Sequence, residues 1–327
     1  MKFKQLFETG LRGTKSTSLP ILYHQLGDFS VIFKINNCVT QFMGRESAYL
    51  DFHRYFSDII KLLGEGYTIH KHDIFSKDLY RPKDESDYLQ QKFEKHFKGR
   101  TYSKSVSYLT ITKNVTRSAF ANFKPEDYES FLKKVTKVSA ILSEYKFNPK
   151  ILDEDEIDFF LKQYMAQNFT EEHFSLRNFK VEDKDISFSD KTLKCLNFID
   201  PGEPNFPNRI SPFTIVNRGR DFPADIVSFL ATTPAIDNLI YSQVIKIPDQ
   251  RGELTNLEIK KRRHTSMPDP ANRICADDID DVFELIQRTN DLIVYCQYTA
   301  IMFGDRDAIS TAENYFDSQL SKIGIIP

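Results

Sequence analysis

Leu63-Gly64-Glu65-Gly66-Tyr67-Thr68-Ile69-His70-Lys71-His72-Asp73-Ile74-Phe75 contains the change of period on which the fold turns. Ahead of it, Tyr49, Phe52, Phe56, Ile59, Ile60 and Leu63 recur at helical spacing, and Gly64 is placed to stop that helix. After it, Tyr67 to Phe75 reads as a strand. Working toward the N-terminus, Phe29, Val31, Phe33 and Ile35 alternate with polar residues, as in a strand with one buried face. Working toward the C-terminus, residues 84–98 read as a charged surface helix and Val106 to Thr112 as a strand. Lys124-Pro125-Glu126-Asp127 opens a helix that runs to about Tyr145, with proline near the first position and acids in the first turn. The order β-α-β-α-β-α predicts an α+β chain of mixed α/β layers.

The second half continues the alternation. Asp153 to Asn168 reads as a helix, and Pro201, Gly202, Pro204, Pro207 and Pro212 mark a long loop or a connection between lobes. Leu239 to Ile247 reads as a strand. Leu292 to Phe303, apolar on both alternating faces, reads as a central strand. Asp307 to Ile323 closes the chain as a helix, with Ile309, Ala312, Phe316 and Leu320 on one stripe. The expectation is two lobes, residues 1–185 and 186–327, each with a mixed sheet covered by helices; the elements of the second begin near Lys191.

Composition bounds the function. A chain of 327 residues buries enough surface to fold without disulfide or metal staples. Its formal net charge of −2 lacks the basic footprint of a nucleic-acid binder, so any contact with DNA has to be local. Cys38, Cys195, Cys275 and Cys296 are scattered, with no C-x-x-C pair, which suits a reducing compartment. The N-terminus has no secretory signal core, and the longest apolar run, Leu292 to Phe303, is too short for a bilayer. These features predict a cytoplasmic protein.

The motifs that would carry chemistry are incomplete. Gly10-Leu11-Arg12-Gly13-Thr14-Lys15-Ser16 has the ingredients of a P-loop, but Thr14 separates Gly13 from Lys15 and no strand precedes it. Gly64-Glu65-Gly66 fails as a dinucleotide fingerprint because Ile69 stands where the third glycine belongs. His70 and His72 share one face of a strand and would form half of a metal site, with His96 the only nominee for a third ligand. Asp249, Glu258 and Lys260 mimic the two carboxylates and lysine of a metal-dependent nuclease, yet Leu254, Leu257 and Lys261 place that stretch on a helix. Lys260-Lys261-Arg262-Arg263 is the densest basic run and the candidate interaction patch, for DNA, anionic lipid or an acidic partner. Asp277, Asp278, Asp280 and Asp281 follow, either neutralising that run or lying at a helix N-terminus; Asp153, Glu154, Asp155 and Glu156 also suit a helix start. No cofactor site and no catalytic residue emerges.

Phe29-Ser30-Val31-Ile32-Phe33-Lys34, the Leu63–Phe75 stretch, Tyr108-Leu109-Thr110-Ile111-Thr112-Lys113 and Lys260-Lys261-Arg262-Arg263-His264-Thr265-Ser266-Met267-Pro268-Asp269-Pro270 resemble, in this order, the TraG family of Bacteroidetes conjugative transposons. Members of that family are ATPases of the type IV secretion machinery that builds the mating channel, with a P-loop motor C-terminal to a region like this one. This chain reaches Pro327 before any Walker motif, so ATP hydrolysis is carried over to no residue here. The resemblance implies a non-catalytic docking and assembly domain, peripheral to the inner membrane through its partners. Those partners would be inner-membrane proteins of the conjugation channel, the ATPase motor and further copies of the chain. A nuclease-like or DNA-contacting domain is the alternative.

Overall fold

The helical spacing ahead of Gly64 and the alternation after Tyr67 become α1 (Glu46–Leu63) and β3 (Tyr67–Leu79) in the computed structural model. The structure describes residues 20–24, 27–36, 46–84, 86–115, 125–170, 178–183, 185–188, 190–197, 213–217, 220–224, 229–230, 232–267 and 269–322. The glycine-rich stretch 10–16, the proline cluster of 201–212 and Cys38 lie outside them. At the junction Gly64 takes φ +66°, and its N–H closes the helix on the Ile60 carbonyl. An L side chain is strained there although nothing stands within 4 Å of an added Cβ. Gly64→Ala is therefore expected to cost about 1 kcal/mol through backbone strain alone, measured by denaturant unfolding.

The α+β class is the one the chain adopts. The strands β1 (Leu22–Tyr23), β2 (Phe29–Ile35), β4 (Thr101–Lys113), β3, β11 (Asn238–Ile247), β12 (Tyr295–Gly304), β8 (Lys191–Asn197), β7 (Ile186–Phe188) and β6 (Lys180–Val181) lie side by side in that order. β5 (Lys150–Ile151) pairs with β2 off this path. Every pairing is antiparallel. The two mixed sheets expected from the sequence are thus one antiparallel sheet. They are joined where β11 runs against β3, Tyr67 facing Ile247 and Ser76 facing Asn238. A separate hairpin is formed by β9 (Phe213–Asn217) and β10 (Arg220–Ala224).

One face of the sheet carries two cores. The first joins Val31 and Phe33 of β2, Ile69 of β3 and Ile111 of β4 to Tyr55 and Ile59 of α1 and to Phe131 and Val135 of α3 (Pro125–Glu144). The second joins Leu239, Tyr241, Ala300 and Met302 to α7 (Arg306–Lys322). In α7 the stripe read from the sequence is the buried one: Ile309, Ala312, Phe316 and Leu320 are all at most 3% exposed. Between the two cores the same face of β3 presents Lys71 and Asp73. They form an ion pair, and Ser107 Oγ donates to Asp73 Oδ1 at 2.6 Å. This polar rung is the seam between the cores.

The opposite face is covered by α4 (Glu154–Ala166), where Ile157 and Phe160 pack with Ile32, Ile74, Tyr108 and Ile240. The acidic start of α4 is the expected helix N-terminus. Asp153 caps it by accepting from the Glu156 N–H, and the Glu156 carboxylate returns to the Asp153 N–H. His70 and His72 lie on this face, their ring centroids 3.8 Å apart.

Among the described residues, two further excursions leave the sheet. β3 and β4 run on past their neighbours as a two-stranded ribbon, paired as far as Leu79 with Thr101, with α2 (Tyr88–Phe97) at its tip. Between β11 and β12 the chain rises into two antiparallel helices, α5 (Gln250–Ser266) and α6 (Pro270–Thr289). No helix among the described residues is long and apolar enough to cross a membrane.

Candidate interaction surface

The basic run Lys260–Arg263 lies on α5, so the helical hairpin decides what that run can do. Asp249 starts α5 by accepting from the Arg251 and Gly252 N–H groups at 3.2 and 3.3 Å. Asp269 starts α6 in the same way, with Pro270 in the first turn, where its missing N–H costs nothing. The base of the hairpin is fastened to the rest of the chain. The Gln250 amide donates to the Pro248 and Ile293 carbonyls and accepts from the Ile293 N–H at 2.7 Å, so it splices the incoming and outgoing strands. The Gln250 N–H donates to Glu65 Oε1, and Lys61 pairs with Asp291 at 2.8 Å and donates to the Thr289 carbonyl. Glu65, in the Gly64–Gly66 turn, therefore acts as an anchor for this hairpin.

Within the hairpin the two charge blocks partly neutralise each other. Lys261 Nζ meets Asp280 Oδ1 at 2.5 Å across the helices, and Arg262 reaches back one turn to Glu258 at 3.9 Å. His264 and Asn272 hydrogen-bond at 2.7 Å and join the helices near the turn. Lys260 and Arg263 point elsewhere and have no carboxylate partner among the described residues. Of the four basic residues of the candidate patch, these two are unpaired among the described residues. Asp277, Asp278, Asp280 and Asp281 are not at a helix N-terminus as their composition suggested. Asp269-Pro270 begins α6 two turns earlier, which leaves them mid-helix.

The apolar side chains of the hairpin are not all spent on its own packing. α5 has no buried residue and α6 only Ala276. Ile274, Val282 and Leu285 recur along one side of α6 at exposures of 61%, 39% and 55%, and Ile259 of α5 and Met267 of the turn are also exposed. Residues three, four and seven apart share a helix face. At 100° per residue the three fall within about 80° of one another around the helix, on the side of α6 away from Ala276, with the exposed Asp278 and Asp281 on that same side.

The other candidates come apart under the same geometry. Glu258 lies nine residues beyond Asp249, roughly 13 Å along the helix axis, and Asp249 is already occupied as a cap. Lys260, two residues past Glu258, turns roughly 200° around the helix from it. The nuclease trio does not converge, because the residues stand on a helix and the chemistry needs them on a strand. His70 and His72 do share a face, but His70 Nε2 bonds Ser242 Oγ at 2.7 Å, and His96 sits on α2 against Phe97. Among the described residues no three His, Cys, Asp or Glu side chains cluster as metal ligands. Burial holds His70 below the usual imidazole range. It pulls His72 down to about 3, with His70, once protonated, and the Lys71 ammonium adding to the effect. Both are therefore neutral at physiological pH, and His72 packs against Phe160 and Tyr164 of α4. Cys195, Cys275 and Cys296 are free thiols.

Two features had no reading in the sequence. One is the Lys71–Asp73–Ser107 seam. The other is the aromatic ribbon tip, where Tyr80 packs against Phe93, Phe97 and Tyr102 at centroid distances of 6.4, 6.1 and 6.2 Å. Only the density of aromatic residues between Tyr80 and Tyr102 hinted at the second. Comparison of the chain with protein-family models and with curated proteins finds no match.

Proposed function

We propose that this chain is a docking and assembly domain of a conjugative DNA-transfer ATPase of the type IV secretion class, contributing protein surfaces and no chemistry of its own. The reading takes its context from the resemblance of four sequence stretches to the TraG-type family. The observation that carries it is the α5–α6 hairpin, an excursion pinned at its base whose α6 exposes Ile274, Val282 and Leu285 and whose α5 exposes Lys260 and Arg263. Large apolar side chains left exposed among charged ones are a usual mark of a protein-binding surface. On this reading the domain sits in the cytoplasm, held at the inner membrane through channel proteins and in line with the ATPase motor.

The test is capture of transfer-operon proteins from cells carrying the whole operon, with this chain as bait beside a longer chain that includes the motor. The chain alone is expected to retrieve inner-membrane channel proteins. Ile274→Asp with Leu285→Asp, both at exposed positions, is expected to cut that recovery on the order of tenfold or more while the circular dichroism spectrum stays the same. Capture only by the longer chain, or undiminished capture by the double variant, counts against this surface as the docking site.

A further inference from the structure

The ribbon tip carries a charge pattern that the helical hairpin lacks. From Tyr88 to Lys104 there are five basic side chains, Lys92, Lys95, Lys98, Arg100 and Lys104, against one acid, Glu94, in a chain whose net charge is −2. All five are exposed, and none has a carboxylate partner among the described residues. Glu94 is not available to neutralise them, because its carboxylate accepts from Tyr80 Oη at 2.7 Å and from the Lys83 N–H at 2.8 Å. Asp87 is likewise committed, capping α2 through the Leu89 and Gln90 N–H groups, while Asp84 stands exposed ahead of the helix.

Large apolar groups stand beside these cations. Tyr88, Leu89 and Phe93 on α2 are 67%, 75% and 54% exposed, and Lys92 lies over the Tyr88 ring at 5.4 Å. No residue of α2 is buried. The helix is held by its Phe93–Phe97 side against Tyr80, and its first turn, with Tyr88 and Leu89, is exposed. The tip lies well past the strands that flank β3 and β4, since β11 pairs with β3 only to Ser76 and β2 with β4 only from Ser107.

We propose that this ribbon tip is a contact site for an anionic lipid surface. Tyr88 and Leu89 would enter the headgroup boundary, and the lysines around them would meet lipid phosphates and carboxylates. Two arguments favour lipid over a protein partner. Lysine is depleted in protein–protein interfaces. A helix that exposes bulky apolar groups with lysines set among them presents both to an anionic membrane interface, and its affinity draws on the two together. The proposal goes beyond attachment through channel proteins. It rests on residues 88–104 rather than on the α5–α6 hairpin, so the two readings fail independently.

The test is sedimentation of the full chain with vesicles of phosphatidylcholine plus phosphatidylserine and with vesicles of phosphatidylcholine alone. Binding is expected to the first and not the second, and to weaken as salt is raised. Lys92→Glu with Lys95→Glu is expected to reduce it on the order of tenfold or more, and Leu89→Ser several-fold. All three positions are exposed, and an unchanged circular dichroism spectrum shows that each variant is folded. Absence of binding, equal binding to both vesicles, or undiminished binding by the double lysine variant overturns the proposal. So does a double variant that loses capture of channel proteins when the wild type shows no lipid binding, which would make the tip a protein surface.

Discussion

Asp73→Ala is expected to destabilise the chain by about 3–5 kcal/mol, seen as a fall in the denaturant midpoint with the slope unchanged. The magnitude follows from what is left behind. The Lys71 and Asp73 side chains are only 13% and 9% exposed, and each is the other's counter-ion. Removing the carboxylate strands a nearly buried ammonium and deprives the Ser107 hydroxyl, itself 1% exposed, of its acceptor. Removing both charges is a different experiment. Lys71→Met with Asp73→Leu leaves no uncompensated charge and is expected to recover most of the loss, the remainder of about 1–3 kcal/mol being the orphaned hydroxyl. A single substitution costing under about 1 kcal/mol would mean that the seam is hydrated and the pair is a surface contact.

That seam also explains what the sequence did and did not reveal about the fold. Period and punctuation are local, and the local elements were legible: the helix stopped by Gly64, the strand from Tyr67, the buried stripe of α7 and the capped start of α4 all stand where their residues placed them. The proline cluster of 201–212 read as a long loop or a connection between two lobes, and one face of the sheet does carry two cores. What joins them is the pairing of β3 with β11, in which Ile69 faces Ile245 and Asp73 faces Tyr241. Nothing in either strand's alternation names its distant neighbour, so a continuous sheet and two separate sheets look alike in sequence. The interruption of the β3 pattern by Lys71 and Asp73 was the available signal. It reads as an exposed edge until the second half of the chain is placed beside it.

The surface features were legible as composition and illegible as geometry. Lys260 to Arg263 is conspicuous as a run, but a helix fans consecutive residues around its axis. Lys261 turns inward to Asp280, Arg262 back to Glu258, and Lys260 and Arg263 outward. The same rotation separates Glu258 from Lys260 and dissolves the nuclease pattern. On the ribbon, α2 was expected from its charges over residues 84–98, and it forms from Tyr88 once Asp87 supplies the cap. That its bulky groups would stay exposed depends on how far β3 and β4 outrun β11 and β2, which is a property of the whole sheet.

Acid is expected to weaken the fold through His72, and the sign can be worked out. The folded state keeps this imidazole neutral, its pKa pulled to about 3 by burial with His70 and Lys71 beside it, while the unfolded chain titrates it near the ordinary 6.5. Between those values the unfolded chain binds the proton more readily. The contribution is therefore complete above about pH 6.5 and is lost progressively as pH falls toward 3, reaching about 2 kcal/mol at about pH 5. The groups around it do not compensate. Tyr164 and Phe160 offer rings at 5.6 and 6.5 Å, Lys71 is positive, and His70 is itself held below its usual range. His72 Nδ1 also has no hydrogen-bond partner. His72→Phe therefore orphans no donor or acceptor bonded to that nitrogen, and any packing cost it carries is the same at both pH values. The readout is consequently the slope: the difference in unfolding free energy between neutral pH and about pH 5 is expected to shrink by about 2 kcal/mol in the variant. An unchanged slope would show that His72 accepts its proton without disturbing α4, so that the helix yields at this contact and the acid sensitivity of the fold lies in His24 and His70, both also held low by burial.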